Sequence, residues 1–339
     1  MSLKINANVS YIIHAPHYDA NSGGHSAMHF LAHQLHCLGV KDVFLTTSIT
    51  NKRWFSTSLE SIATHQIVPN LSCGYLKLLV SLKKYVCFST LVRKINRQIQ
   101  KILPLIVWQY LDISKTVVVY SENEIGNPLG AIHIVRWIMR EPLIGDGGDY
   151  SASEHIFLYH DFYAVGSQYK KQIKGVLTAI DLDWHLKTYA NQKKLTRTGG
   201  AYLIKKGGYK NLTLHPDDYQ CVDSLFENLT DTEKNEFFNQ IQVFISYDHM
   251  TFLSVQAALS GCLSIIIPDD EGQYSKENLI KVNRIPGIAI GFDDIDWAQS
   301  TQNCLIPYLE NLNRIQLNTI SNFKSYFEKL LSSEKEYHY

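Results

Sequence analysis

Short apolar runs rich in β-branched residues recur along the chain, and segments with helical spacing lie between them. The first run is VSYIIHA (residues 9–15), the helical segment GGHSAMHFLAHQLHCLG follows it, and VFLTT (residues 43–47) is the next run. Apolar runs of this length are typical of strands buried on both faces, and their alternation with helices indicates βαβ units with parallel strands. The sequence therefore predicts an α/β fold.

The same alternation continues through the rest of the chain. Further strands are predicted at residues 116–121, 156–159, 201–204, 243–246, 263–268 and 288–291. Helices are predicted at residues 131–139, 217–226, 251–259 and 276–282, with more helix after them. We expect the strand at 156–159 to be the last of the first half.

The length of the chain indicates two domains, because 339 residues exceed what one ordinary core organises. We expect an N-terminal Rossmann-like domain at residues 1–165, a C-terminal Rossmann-like domain at 166–325 and a C-terminal helix or tail at 326–339. Ligands of open α/β sheets bind beyond the carboxyl ends of the strands. A cleft between two such domains that face each other is therefore the expected active site.

Composition excludes several classes of protein. A content of 45% hydrophobic residues excludes global disorder, and a net charge of zero argues against a dedicated nucleic-acid binder. No apolar run reaches the roughly 18–20 residues that span a bilayer, and the first residues lack the pattern of a secretory signal. The six cysteines are scattered without a CxxC pair, which predicts buried thiols in a reducing compartment. We expect a cytoplasmic protein.

No Asp or Glu occurs between Ser61 and Leu111, and within this window residues 77–101 interleave Lys and Arg with apolar side chains. Such a stretch suits an anionic membrane surface, where each basic residue contributes about 1 kcal/mol. It predicts peripheral contact with the inner face of a membrane. The alternative is a pair of amphipathic helices with ordinary solvated lysines.

Gly23 and Gly24 follow the first predicted strand and begin a helix. Glycines there let a ligand approach the backbone, and the free N–H groups of a helix N-terminus attract an anion or a hydroxyl-rich ligand. The polar residues Asp19, Asn21 and His25 of the same loop are candidates for a general base that takes a proton from an acceptor hydroxyl. A plain turn before a helix is the alternative.

Metal binding is not expected. His25, His29, His33 and His36 form a stripe along the predicted helix, but no HExxH motif and no carboxylate accompany it. The DGGD sequence at residues 146–149 is better explained by turn-forming Gly and Asp.

Lys205 and Lys206 directly follow the predicted strand at 201–204 and precede two glycines. Lysines at the carboxyl end of a strand suit a diphosphate, whose charge they would neutralise as it leaves. Arg197, a few residues earlier, is a candidate to assist them. The alternative is an exposed basic turn.

The most informative stretch is FISYDHMTFLSVQAALSGCLSIIIPD, residues 244–269. Tyr247, Asp248 and Thr251 lie in its loop between a predicted strand and a predicted helix, and Gln256 lies two turns along. We expect Asp248 and Gln256 to project toward one ligand. An amphipathic helix with a polar N-terminal cap is the alternative.

These residues resemble glycosyltransferases of the GT-B fold, which are built from two Rossmann-like domains. GGHSAMHFLAHQL is similar to the GG turn of the retaining branch, and SYDHMTFLSVQAALSGCLSIIIP is similar to its Glu-x7-Glu motif. Asp248 and Gln256 occupy the two acidic positions. The resemblance implies that Asp248 holds the donor sugar, that Gln256 bonds the ribose, and that Lys205, Lys206 and Thr251 lie near the diphosphate.

A second stretch, YSENEIGNPLGAIHIVRW, looks like a loop of polysaccharide glycosyltransferases. By that resemblance Glu124, Asn127 and Arg136 border the acceptor or donor cleft.

The expected function is a metal-independent transfer of a sugar from a nucleotide-sugar donor to a glycan or lipid-linked acceptor, in the synthesis of polysaccharide or surface glycan. The nucleotide-sugar is a substrate, so no cofactor is expected. Two alternatives stay open. One is a nucleotide-sugar epimerase on the same fold, and the other is a catalytically silent nucleotide- or sugar-binding subunit, which the altered acid pair favours.

Overall fold

The computed structural model describes residues 9–47, 51, 53–54, 108, 111–140, 150–161, 163 and 167–333. The chain divides into two compact units, Met1–Ile180 together with Gln316–Tyr339, and Asp181–Ile315. This division lies later than the expected boundary at 165/166, because a strand at Ile173–Val176 still pairs with the first sheet. The basic stretch at 77–101 and the DGGD sequence at 146–149 lie outside the described residues.

The first unit contains a sheet in which every pair of neighbouring strands is parallel. Its strand order is β2-β1-β3-β4-β5-β6. The strands are β1 (Ser10–Ile13), β2 (Val43–Leu45), β3 (Thr116–Ser121), β4 (His133–Ile138), β5 (His155–Leu158) and β6 (Ile173–Val176).

The second unit contains another parallel sheet, with strand order β11-β10-β9-β7-β8. Its strands are β7 (Gly200–Leu203), β8 (Gln220–Cys221), β9 (Val243–Ser246), β10 (Leu263–Ile266) and β11 (Ile288–Ile290). The α/β class predicted from the sequence is confirmed by these two parallel sheets and the helices between their strands.

The helices of the described residues mostly lie between strands in the sequence, and the last two follow β11. They are α1 (Gly23–Cys37), α2 (Leu182–Thr188), α3 (Asp223–Asn228), α4 (Asp231–Phe238), α5 (Leu253–Leu259), α6 (Lys276–Asn283), α7 (Ile295–Thr301) and α8 (Leu305–Ser333). Helix α8 begins in the second unit and ends in the first. Within the described ranges, no helix combines the length and the apolar character needed to cross a membrane.

Two sequence predictions in the first unit are wrong. The helix predicted at 131–139 is strand β4, whose six residues are all buried. Its alternation places Val135 and Trp137 in the core cluster of one sheet face and Ile134 in that of the other, which a strand period allows and a helix period does not. The strand at 156–159 is also not the last of its half, because β6 follows it with a glycine, Gly175, at a register shift.

In the second unit, the helix predicted at 217–226 begins later, at Asp223, after the short strand β8. Helices α2 and α4 were not predicted. The expectation of buried thiols is wrong for Cys37 and Cys304, which are exposed, and is confirmed for Cys262.

Two glycines end helices in the way that their positive φ angles permit. After α1, Gly39 has φ +80°, its N–H bonds the carbonyl of His36, and the next N–H, of Val40, bonds Leu35. Gly261 ends α5 with φ +93° and an equivalent pair of bonds. Both are Schellman motifs, in which the left-handed residue satisfies carbonyls that the helix leaves open.

The core of the first unit lies on both faces of its sheet. On one face, Tyr11, Val119 and Trp137 pack with residues of α1 and with Phe323 and Phe327 of α8. The indole N–H of Trp137 donates to the carbonyl of Leu177 at 2.8 Å, which satisfies the one polar group of a fully buried side chain. Substitution of such residues by Ala typically costs 2–5 kcal/mol.

A buried histidine makes the stability of the first unit depend on pH. His29 on α1 is fully buried, one ring nitrogen bonds the carbonyl of Pro16 at 3.0 Å, and burial lowers its pKa to about 4. The unfolded chain therefore binds a proton that the folded chain does not, and stability falls as the pH is lowered from about 6.5 toward 4.

From pH 7 to pH 5, we expect the free energy of unfolding to fall by about 2 kcal/mol less in His29→Gln than in the wild type, because Gln takes up no proton. Urea unfolding at both pH values measures this difference. His36→Gln, an exposed change on the same helix, should keep the wild-type dependence. An unchanged loss in His29→Gln would contradict the assignment.

Candidate functional site

The carboxyl ends of three neighbouring strands bring polar loops together in the second unit. Strand β9 lies between β7 and β10, and Ser246 at its end is in register with Leu203 and Ile266, which end the other two. The loops that follow therefore leave the sheet at one edge, where α/β proteins bind ligands. We call the residues of these loops, 204–210, 247–252 and 267–275, the second-sheet edge.

The turn after β7 is held close to the backbone of the next loop. Gly207 lies so near Tyr247 that an added Cβ would come within 2.2 Å of its carbonyl oxygen. The carboxylate of Asp223 accepts the backbone N–H groups of Ile204 and Lys205 at 2.8 Å each. The predicted Lys205 and Lys206 therefore stand on a turn of fixed shape, and both side chains are exposed.

A buried ion pair lies beside this turn. The ammonium group of Lys210 is 2.9 Å from a carboxylate oxygen of Asp269, and the two side chains are only 6% and 19% exposed. The hydroxyl of Tyr209 donates to the same carboxylate at 2.7 Å. Burial alone would raise the pKa of Asp269, but the bonds from Lys210 and Tyr209 outweigh it and hold this pKa below its usual range.

His249 is packed into the same group. Its ring stacks on Tyr274 with 3.6 Å between ring centroids, and its Nδ1 lies 3.4 Å from the ammonium group of Lys210. Burial, strengthened by the charge of Lys210, lowers the pKa of His249 to about 4. The imidazole is therefore neutral near pH 7.

The predicted Asp248 lies in this edge and is 4% exposed. Its carboxylate accepts the N–H of Met250 at 3.0 Å, so it stabilises its own loop. Thr251 also stabilises this loop, because its hydroxyl accepts the N–H of Leu253 at the start of α5. Asp248 and Lys206 both lie near enough to His249 to influence its pKa.

Gln256 and Tyr247 have other surroundings. Gln256 lies within α5, its amide nitrogen is 3.3 Å from Nδ1 of His185, and its buried Oε1 has no hydrogen-bond partner among the described residues. Asp248 and Gln256 thus bond different groups. Tyr247 is fully buried, and its hydroxyl bonds Leu214 and His215, so its side chain belongs to the core.

Arg197 lies at the opposite edge of the second sheet. Its guanidinium donates to the carbonyls of Phe238 and Ser260 and to the side chain of Asn239, in the segments that precede β9 and β10. The structure therefore does not bring Arg197 together with Lys205, because the amino ends of the strands lie at the other side of a parallel sheet.

The first sheet has a polar edge of its own. His14 directly follows β1 and Glu124 lies in the loop after the neighbouring β3, with 3.5 Å between His14 Nε2 and the carboxylate. The hydrogen bond from His14 lowers the pKa of Glu124 although burial opposes it. The structure thus places Glu124 at this edge, with His14 as its partner.

Helix α1 begins with an open backbone. Outside the helix's own backbone, no atom of the described residues lies within 4 Å of where a Cβ of Gly23 would be, and that of Gly24 would touch Met139. Ser22 caps the helix by accepting the N–H of His25, while the exposed Asp19 accepts the N–H of Asn21. The ring of His25 has a buried Nδ1 without a partner among the described residues.

Arg136 and Asn127 hold the loop after β3 from within. Arg136 is 1% exposed and bonds the carboxylate of Glu154 at 2.9 Å and the carbonyls of Glu124 and Gly126 at 2.6 and 2.9 Å. The side chain of Asn127 bonds both backbone groups of Ala131. Arg136 therefore holds this loop from inside the unit, and its place beside a cleft stays a prediction.

The histidines of α1 do not converge. His33 packs on Trp54, His36 is exposed and His29 is bonded to the backbone. Within the described ranges, no three His, Cys, Asp or Glu side chains are placed to hold a metal ion.

Sequence reasoning missed the ion pair of the second-sheet edge and gave no role to His249. Lys210 and Asp269 each lie shortly after a predicted strand, and the rule that ligands bind beyond carboxyl ends could have selected them. Their pairing could not be selected in the same way, because it depends on how two distant loops fold.

Comparison with protein-family models and with curated proteins finds no match for this chain.

We expect Gly207→Ala to lower the free energy of unfolding by about 1–3 kcal/mol, because its Cβ would overlap the backbone of Tyr247. Gly208→Ala is the matched control, since its Cβ would meet Ile204 at an ordinary 3.7 Å. Urea unfolding of both variants tests this. Equal stability of the two would mean that the turn is not packed as described.

Proposed function

We propose that this chain is a metal-independent glycosyltransferase that moves a sugar from a nucleotide-sugar donor to a glycan or lipid-linked acceptor. The observation that carries the proposal is the second-sheet edge, where an exposed lysine, a buried carboxylate and a neutral histidine meet beyond three parallel strands. The two-Rossmann-domain architecture of the GT-B fold is part of the proposal. So are a cytoplasmic location and membrane contact through residues 77–101.

The donor is assigned to the second unit because of the charges there. Lys206 is exposed and has no hydrogen bond or ion pair with the described residues, so its charge is available to a ligand. A diphosphate beside it would find a cation on a turn that Gly207 and Asp223 already fix, which reduces the ordering cost of binding. Asp248 would contact the donor sugar.

The acceptor is assigned to the first unit. The open N-terminus of α1 and the His14–Glu124 pair offer donors and a base to a hydroxyl-rich ligand. Asp19, His25 and His14 are the candidates for the general base, which takes the proton of the acceptor hydroxyl as the new bond forms.

In the second unit, Gln256 has a buried side-chain oxygen without a partner among the described residues, and this oxygen would accept a hydrogen bond from a hydroxyl of the donor.

Catalysis would depend on positioning and on neutralisation of the departing diphosphate. As the bond from sugar to diphosphate breaks, negative charge grows on the leaving oxygen, and the Lys206 ammonium would stabilise it. This step raises the rate only to the extent that the cation binds the leaving group better than it binds the intact donor.

We expect one nucleotide or nucleotide-sugar to stabilise the protein selectively in a thermal-shift titration against UDP, GDP, CMP, dTDP and their common sugars. A ligand at 100 times its Kd adds about 2.7 kcal/mol. Lys206→Ala should weaken its binding by more than about tenfold, or ~1.4 kcal/mol. Lys281→Ala, an exposed lysine of α6, should bind normally. Equal binding by both variants would show that the donor site lies elsewhere.

We expect Asp248→Asn to weaken binding of the nucleotide-sugar by more than about tenfold and to leave binding of the nucleotide alone unchanged. Asn can still accept the N–H of Met250, so the loop keeps its bond and loses only the charge. Isothermal titration with both ligands measures the difference, with the exposed Asp218→Asn as control. A similar loss for both ligands would remove Asp248 from the sugar site.

Turnover separates the proposal from its alternatives. Release of nucleotide that requires an acceptor supports a glycosyltransferase, whereas conversion of the donor without an acceptor indicates an epimerase. Binding without any turnover indicates a silent subunit.

A further inference from the structure

The contacts of Lys210 give His249 a defined chemical state. The ammonium group of Lys210 has three N–H donors and no acceptor. It donates to the carbonyl of Ile267, to Asp269 and to Nδ1 of His249. A contact with a group that can only donate requires a lone pair on Nδ1, so the ring proton of the neutral imidazole lies on Nε2.

Lys210 is itself held in place. The carboxylate of Asp269 forms the ion pair with Lys210 and accepts a hydrogen bond from the hydroxyl of Tyr209. The backbone N–H of Asp269 donates to the carbonyl of Tyr274. Tyr274 in turn stacks on the ring of His249. With its three donors used and only 6% of its side chain exposed, Lys210 cannot turn to a ligand without breaking this group.

The remaining ring nitrogen is the one that a ligand could use. Nε2 of His249 has no hydrogen-bond partner among the described residues, and the residue keeps 8% of its surface exposed. It stands at the carboxyl edge of the sheet, near the free cation of Lys206. A fixed N–H donor beside a lysine, in a largely buried setting, suits a phosphoryl oxygen.

We propose that His249 donates its Nε2–H to a phosphoryl oxygen of the bound ligand, and that Lys210 is a positioning residue which fixes the ring in this tautomer. That the ligand is a nucleoside diphosphate rests on the proposed function, whereas the recognition of a phosphoryl oxygen does not. Because the ring is neutral, it adds a directed donor without adding charge, and Lys206 supplies the charge.

The charged groups that face His249 come from all three loops of the edge. Lys206 and Lys210 disfavour the imidazolium, while Asp248 and Asp269 favour it, and burial decides the balance. Removal of the charge of Lys210 or Asp269 therefore alters the state of the ring without removing a group that the proposed function places on the ligand.

The test is nuclear magnetic resonance of the full chain with ¹⁵N-labelled histidine, using inorganic diphosphate as the probe. At pH 7 we expect the His249 ring, assigned by its loss in His249→Gln, to carry its proton on Nε2. Diphosphate should shift the Nε2 resonance and leave His215, whose Nδ1 already bonds the hydroxyl of Tyr247, unchanged. Lys210→Met should give a mixture of tautomers.

Binding measurements complete the test. His249→Leu should weaken diphosphate binding roughly 3- to 10-fold, the effect of one neutral hydrogen bond, and His249→Gln should restore part of it through its amide N–H. A proton on Nδ1, an imidazolium at pH 7, or no shift of Nε2 with diphosphate would each overturn the proposal. If Nε2 shifts but no sugar is transferred, the proposed function fails and this inference stands.

Discussion

Both sheets are parallel throughout, and this one constraint decides where polar side chains gather. In a parallel sheet all carboxyl ends lie at one edge, so the loops that follow different strands meet there although they are distant in sequence. Tyr209 and Asp269 are 60 positions apart and share a hydrogen bond for this reason. His14 and Glu124 meet at the first sheet by the same geometry.

The strands were the most predictable part of the fold. β3 and β9 occupy the predicted residues, because a short apolar run between polar loops has few other solutions. β4 was mistaken for a helix since Arg136 interrupts its apolar run, and a charge is unexpected in a buried strand. β6 was missed because Lys174 and Gly175 leave it little strand character. Tertiary contacts stabilise both strands: Glu154 pairs with the buried charge of Arg136 in β4, and β5 pairs with β6.

For the candidate site, the sequence predicts which single residues lie near the strand ends, but not which of them contact each other. Asp248 and Lys206 follow strands and were found by position. Whether a cation is available to a ligand depends on its partners, and four basic residues illustrate this. Arg136 and Arg197 each bond carbonyls and side chains, Lys210 bonds Asp269, Ile267 and His249, and Lys206 has no such bonds with the residues that the structure describes. Sequence spacing contains no information on these partners, because each bond joins loops that only the folded sheet brings together.

The path of the last helix has a consequence for how the molecule is made. Phe323, Phe327 and Leu331 of α8 belong to the core of the first unit, whose sheet begins at Ser10. Residues 181–315 form a compact unit of consecutive sequence and can organise as they leave the ribosome. The first unit cannot, since Phe323, Phe327 and Leu331 join its core only after α8 is synthesised. The strands that are translated first therefore wait for part of their core, and during that interval the sheet face that α8 covers is the surface on which a chaperone would act.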